Sequence, residues 1–198
     1  VTAEALSLLK CPRCEAPAAL APDAQNGSLS CERCRHAVPM RDGIPRFVDV
    51  PATEQARRTQ ASFGYEWTHF SDWTQSGETN FHDYFRGVGL ATLRHCTVLD
   101  AGCGMGRHAR QIAPFVGQVV AVDFSAAIEQ AARNTRDLAN VSCLQADLLD
   151  LPFADASFDF VYSLGVLHHL EDTERALEGL VRLVKPGGRL RVYLYWKR

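Results

Sequence analysis

The sequence predicts an α/β protein, a doubly wound parallel sheet behind a small cysteine-bearing unit, and three observations predict it. From residue 93 onward short apolar runs alternate with amphipathic stretches, a glycine-rich turn follows the first of those runs, and two C-x2-C pairs occupy the first 34 residues. Alternating strand and helix gives parallel neighbours joined by right-handed crossovers, with an expected strand order of 3-2-1-4-5. A chain of 198 residues with 46% hydrophobic and 22% charged residues can bury a sizeable core and has the composition of a folded protein.

The first unit spans residues 1–50. Its pairs, "CPRC" (Cys11, Cys14) and "CERC" (Cys31, Cys34), are separated by 16 residues. That spacing lets two knuckles surround one zinc ion with four thiolates at about 2.3 Å each. His36 is a second choice for the place of Cys34. So small a unit buries too little alone, so the metal would be structural. Ile44, Phe47 and Val48 are the residues expected to seat the knuckles, and the unit should melt on chelation without the rest of the chain. Cys96, Cys103 and Cys143 are scattered and read as small buried residues.

Residues 51–92 carry aromatics without a clean period, among them Phe63, Tyr65, Trp67, Phe70, Trp73, Phe81, Tyr84 and Phe85. They read as a cover over the next unit, either a plain apolar anchor or rings closing on a cation.

The second unit, residues 93–198, opens with the strand "TVLDA" and a helix through "GRHARQIAPFVG" that stops near Gly117. "QVVAVD" is the second strand. Ser125 can cap the helix after it, whose Ile128, Ala131 and Ala132 share a face. "VSCLQ" and "FDFVYS" are the third and fourth strands. Asp172 can cap a helix with Ala176, Leu177, Leu180, Val181 and Val184 along its inner side, "KPGG" turns the chain, and "RLRVYLY" is the fifth strand.

The stretch "VLDAGCGMGRHARQ" places Gly102, Gly104 and Gly106 in the first strand-to-helix turn, where such sheets hold their ligands. The dinucleotide fingerprint needs a glycine at position 107, which is Arg107, and no G-x-x-x-x-G-K-[ST] loop occurs. A ligand without a pyrophosphate is expected. Asp100 at the edge of the turn would repel a phosphate and attract an ammonium or sulfonium group. Asp123, 23 residues on, can accept from both hydroxyls of a ribose, and Asp147 after the third strand from an adenine amine. Cationic amino-acid end, ribose and adenine together describe S-adenosylmethionine (SAM).

"VLDAGCGMGRHA", "VVAVDFS", "CLQADLLDLPF", "FDFVYSLGVLHHL" and "LVKPGGRLRVYLY" resemble, in order, the motifs of class I SAM-dependent methyltransferases of the type 11-like kind. The resemblance covers about residues 97 to 195 and implies a Rossmann-like fold. It also implies that Asp100, Gly102 and Gly104, with Ala101 and Cys103 between them, line the methionine moiety, while Asp123 holds the ribose. Phe124 would flank the adenine, Asp147 and Leu148 would address its edge, and Ser163 would lie near the methionine end. The first unit, with "RDGIPRFV", is similar to the Trm112-like family. The family's sheet ends in an antiparallel hairpin, whereas this sequence stops just after strand five, so the expected sheet lacks its last two strands.

Methyl transfer needs a base only where the acceptor holds a proton. His168 and His169, after the fourth strand, are the candidates, read alternatively as a structural pair at a helix start; His108 is expected on a helix surface. The expected acceptor is an O, N or C atom of a small molecule. One rival is an rRNA or tRNA base methyltransferase that grips RNA with the zinc ribbon. Another is a non-catalytic SAM-fold module that meets a protein partner through that ribbon. The net charge of −2, with 8 Lys/Arg against 7 Asp/Glu in residues 1–60, leaves no basic field for RNA. No apolar run approaches the roughly 20 residues that span a bilayer, and a cytoplasmic location is expected.

Overall fold

The structure, a computed structural model, describes residues 1–48 and 77–195. The aromatics from Phe63 to Trp73 therefore lie outside the described residues.

The first unit begins with the short helix α1 (Ala3–Ser7), capped by the Thr2 side chain. Strands β1 (Leu20–Asp23), β2 (Ser28–Cys31), β3 (Ala37–Arg41) and β4 (Ile44–Pro45) follow as an antiparallel sheet in chain order. Asp42 and Gly43 join β3 to β4 at φ 52° and 75°. Both angles are left-handed, as an Asp-Gly hairpin of type I′ requires.

Helix α2 (Gly77–Tyr84) precedes the second unit. Phe81 and the following Phe85 are buried, their rings 4.5 Å apart, and Phe85 meets Tyr162 edge-on at 5.0 Å. The sheet comprises β5 (Thr97–Ala101), β6 (Gln118–Asp123), β7 (Val141–Gln145), β8 (Phe158–Leu164) and β9 (Val184–Tyr193). Its order is β7-β6-β5-β8-β9 with every pairing parallel, as the alternation predicts. Helices α3 (Arg107–Ile112), α4 (Ala127–Asn134) and α5 (Thr173–Leu183) are the crossovers. Ser125 Oγ accepts from Ala127 N at the start of α4, and Asp172 caps α5 by accepting from Arg175 N.

Three local expectations are corrected. On α5 the buried residues are Ala176, Leu180 and Leu183, while Leu177 and Val181 are 38% and 55% exposed and Val184 already opens β9. Five apolar residues spread over a wide arc left the face ambiguous, and packing rotated it. "KPGG" is an irregularity within β9, where the register against β8 shifts between Phe158 and Phe160. Gly188 allows this, because a Cβ there would stand 2.8 Å from the Asp159 carbonyl oxygen. Ile44 is buried with Phe81 and Phe85 in a separate apolar cluster, not beneath the knuckles; Phe47 packs on the knuckle side.

The two units pack as one. Arg46 bridges Gln145 in parallel register at the edge strand β7, and Phe47 N donates to the Gln145 carbonyl at 2.7 Å. Leu9 bridges Phe153, Lys10 N donates to the Pro152 carbonyl, and Thr2 N donates to Ser142 Oγ. One apolar cluster runs from Leu9, Leu29 and Val38 into Leu144, Leu148 and Phe153. Among the described residues no helix is long and apolar enough to cross a membrane.

Candidate functional site

Strand order reverses at β5, which has β6 on one side and β8 on the other, and a cleft opens there. The chain leaves β5 in a tight turn: Gly102 N and Cys103 N both donate to the Val122 carbonyl, at 2.8 and 2.9 Å. Gly102, Gly104 and Gly106 all have positive φ, a conformation that glycine adopts at no steric cost. Two of them also lie against the protein itself. A Cβ at Gly102 would stand 2.6 Å from both Val166 methyls, and one at Gly106 would stand 3.0 Å from the Ala131 Cβ. The glycines thus let the loop after β8 and helix α4 close on the turn.

Asp123, at the end of β6, ties the turn to the opposite wall. Its Oδ2 accepts from Gly104 N at 2.8 Å, and its Oδ1 accepts from Ser125 N and Ser125 Oγ at 2.8 and 2.7 Å. Burial pushes its pKa up against those donors. Asp147 Oδ1 accepts from Leu149 N, which shapes the loop after β7.

The cleft, open to solvent and about 1040 Å³, brings together most of the expected residues. Gly102, Cys103 and Gly104 form one wall, Asp123 and Phe124 a second, and Asp147 and Leu148 a third, with His169 at the rim. Asp100, Ala101, Ser163 and His168 do not line it. Ser163 Oγ donates to the Ala101 carbonyl at 2.9 Å and is fully buried. Asp100 is 3% exposed, and its Oδ2 has no hydrogen-bond partner among the described residues. Burial pushes its carboxyl up to about 7.

Since an unfolded Asp titrates near 3.8, the folded chain holds this proton at pH values where the unfolded chain has released it. The resulting stability is complete below about pH 4 and is lost as pH rises through about 7. Asp100→Asn should therefore gain about 2 kcal/mol on the unaltered chain between pH 5 and 7, read from urea midpoints without ligand. Midpoints that run parallel across that window would contradict a protonated Asp100.

His108 and Tyr195 are among the cleft residues that escape the sequence reading. His108 lines the cleft beside Phe81, Tyr84 and Phe85 rather than standing on a helix surface, and burial lowers its pKa to about 4. Side chains in a first helical turn lean back toward the N-terminus, here toward the glycine turn, and that rule could have found it. Tyr195 lies two residues past β9, and its hydroxyl is 2.9 Å from His169 Nε2. No local pattern marks it.

The four thiols of Cys11, Cys14, Cys31 and Cys34 lie within 4.8 Å of one another. Cys11 and Cys34 sulfurs are 3.6 Å apart, and those of Cys14 and Cys31 3.7 Å. A tetrahedron with Zn–S bonds of about 2.3 Å has edges of about 3.8 Å, whereas a disulfide would need about 2.05 Å. Backbone N–H groups of Cys34 and Arg33 directed at Cys31 bring its thiol down to about 7 against the effect of burial. The donor set fits a tetrahedral thiophilic ion.

Residues 99–192 match the methyltransferase domain family, and residues 4–43 match the Trm112p-like protein family. The O-methyltransferase rstn1 of Aspergillus nomiae is 38% identical over 112 residues, which cover 54% of this chain and 49% of the relative. An uncharacterized methyltransferase of Mycobacterium tuberculosis is 41% identical over 98 residues, 50% of each chain. The chain thus spans about half the length of these curated relatives. Among solved structures, the N-methyltransferase NodS of Bradyrhizobium japonicum, in complex with S-adenosylhomocysteine, has TM-score 0.58 and 26% identity over 67% of this chain and 70% of its own. A chain from the complex of the Haloferax volcanii Trm112 methyltransferase activator with its methyltransferase partner has TM-score 0.53 and 30% identity, covering 66% of this chain and 58% of its own. With the glycine turn and the two aspartates at the strand ends, these matches make residues 99–192 similar to a methyltransferase domain and residues 4–43 similar to a Trm112p-like protein.

Proposed function

We propose that this chain transfers a methyl group from SAM to an O, N or C atom of a small molecule. The observation that carries the reading is the cleft whose walls are the glycine turn, Asp123 with Phe124, and Asp147 with Leu148. SAM, when bound, would supply a methyl group on a sulfonium for in-line transfer with a neutral thioether as leaving group, so positioning would do most of the work. Asp123, held by Gly104 N and Ser125, has one lone pair left, on Oδ2, to offer a ribose hydroxyl. Phe124 offers a face to the adenine, and Asp147 and Leu148 meet its edge.

Of the two candidate bases, His169 is the one that lines the cleft; it would take a proton at Nε2, the atom now facing the Tyr195 hydroxyl. His168 packs its ring on both, with centroids 4.1 Å from His169 and 3.9 Å from Tyr195, which supports a role in holding them. The four-cysteine cluster would hold zinc as a structural ion, and seven free cysteines suit a reducing compartment such as the cytoplasm.

Calorimetric titration with S-adenosylhomocysteine, with NAD as control, tests the cofactor. Binding of the former alone, with a micromolar Kd, is expected; binding of neither, or of NAD, overturns the reading. A salt-sensitive mobility shift with bulk RNA would replace the small-molecule acceptor with RNA.

A further inference from the structure

The first unit is tied to the wall of the cleft through a side chain just past its Trm112p-like part. Arg46, next to the hairpin β3–β4, carries its guanidinium across to the second unit with its side chain only 12% exposed. Its Nη1 donates to Gln145 Oε1 at 2.9 Å, and its Nη2 donates to Glu129 Oε1 at 3.1 Å. Gln145, so oriented, turns its amide NH2 toward the cleft wall and donates to the Phe124 carbonyl at 2.9 Å. That carbonyl belongs to the loop between Asp123 and α4, whose side chains form the wall assigned to ribose and adenine. Arg46 and Gln145 are 99 positions apart in sequence. They meet because the module lies along the edge strand β7.

The chemistry makes the link directional. An amide side chain can present either its oxygen or its NH2 to a carbonyl, and only the NH2 can donate. A guanidinium offers donors alone, so it captures the Gln145 oxygen and leaves the NH2 facing the Phe124 carbonyl. Glu129, on the first turn of α4, fixes the other prong of the fork, so one cation braces both ends of the 124–129 segment. We infer that Arg46 is a positioning residue for the cofactor site, through which the module holds the loop carrying Phe124 and Ser125 in its binding geometry. The inference rests on the cofactor reading given above.

The test uses the full chain in four forms: unaltered, Arg46→Ala, Arg46→Lys and Ser142→Ala. Ser142 also anchors the module on β7, through Thr2, but at the end remote from the cleft. Two readouts are taken: S-adenosylhomocysteine affinity by calorimetry, and amide hydrogen exchange of residues 123–127 without ligand. Arg46→Ala should weaken affinity about tenfold and speed exchange in that loop, whereas Ser142→Ala should lower Tm with both readouts unchanged. Arg46→Lys, which keeps the charge but not the fork, should fall between them.

Wild-type affinity and exchange in Arg46→Ala would overturn the inference. Equal weakening in Arg46→Ala and Ser142→Ala would also overturn it, reducing Arg46 to general stability. If the unaltered chain binds no S-adenosylhomocysteine, the cofactor reading fails while the exchange data still report on the brace.

Discussion

With zinc at the four-cysteine site, as proposed above, chelation or Cys14→Ser is expected to destabilise the whole chain in one cooperative transition. The reason lies in where the thiols sit. Cys11 and Cys31 are fully buried, and they belong to the same apolar cluster as Leu99, Val120, Leu144 and Phe153 of the parallel sheet and its loops. Structural zinc contributes on the order of 10 kcal/mol of apparent binding free energy in small modules, all of it available to folding. Loss of the ion leaves four thiols packed at 3.6–3.7 Å contacts without a centre and frees the module to unfold. The sheet then loses the apolar surface that covered Leu144 and Phe153. A fall in Tm on the order of 10 °C or more is expected for a chain of this size, as a single calorimetric endotherm. Two endotherms, with the upper one unmoved by chelator, would mean that the module melts alone, as the sequence by itself suggests.

Asp123→Ala should abolish most of the cofactor affinity while leaving the fold nearly intact. The carboxylate accepts three hydrogen bonds, from Gly104 N, Ser125 N and Ser125 Oγ, and joins the turn after β5 to the loop after β6. Truncation strands those donors at the mouth of the cleft and removes the acceptor offered to a ribose. A hydrogen bond to a charged group contributes about 1.5–3 kcal/mol, so the one lost ribose bond amounts to a roughly ten- to hundredfold loss. Calorimetry with S-adenosylhomocysteine measures it, and circular dichroism checks that the sheet survives. An affinity within threefold of the unaltered chain would remove Asp123 from the binding site.

How much of this was legible depends on the range over which each feature is encoded. The strands were readable because runs such as "QVVAVD" are buried on both faces and stop at an aspartate or glycine. Spacing alone pointed to the four-cysteine cluster and to the acid positions of Asp123 and Asp147. The inner face of α5 was misread because Leu177 and Val181 are apolar yet exposed, and the choice of face is made by the strands it covers. What Gly102 and Gly106 face, and why Tyr195 meets His169, are contacts between distant segments. The Arg46 brace is of the same kind. Local pattern carries nothing about such pairs, since they exist only once the sheet has brought their strands together.

Placement of the module on β7 has a consequence for solubility. An edge strand offers unpaired N–H and C=O groups that can template pairing with another chain and so seed aggregation. Here the Gln145 carbonyl is taken by Phe47 N, and Thr2 N is held beside the same strand by the Ser142 side chain, so the edge is overlaid by folded chain. The module thereby covers one of the two edges of the parallel sheet. A chain that lost its metal would present that strand to its neighbours, and its failure would be seen as precipitate before it was seen as lost activity.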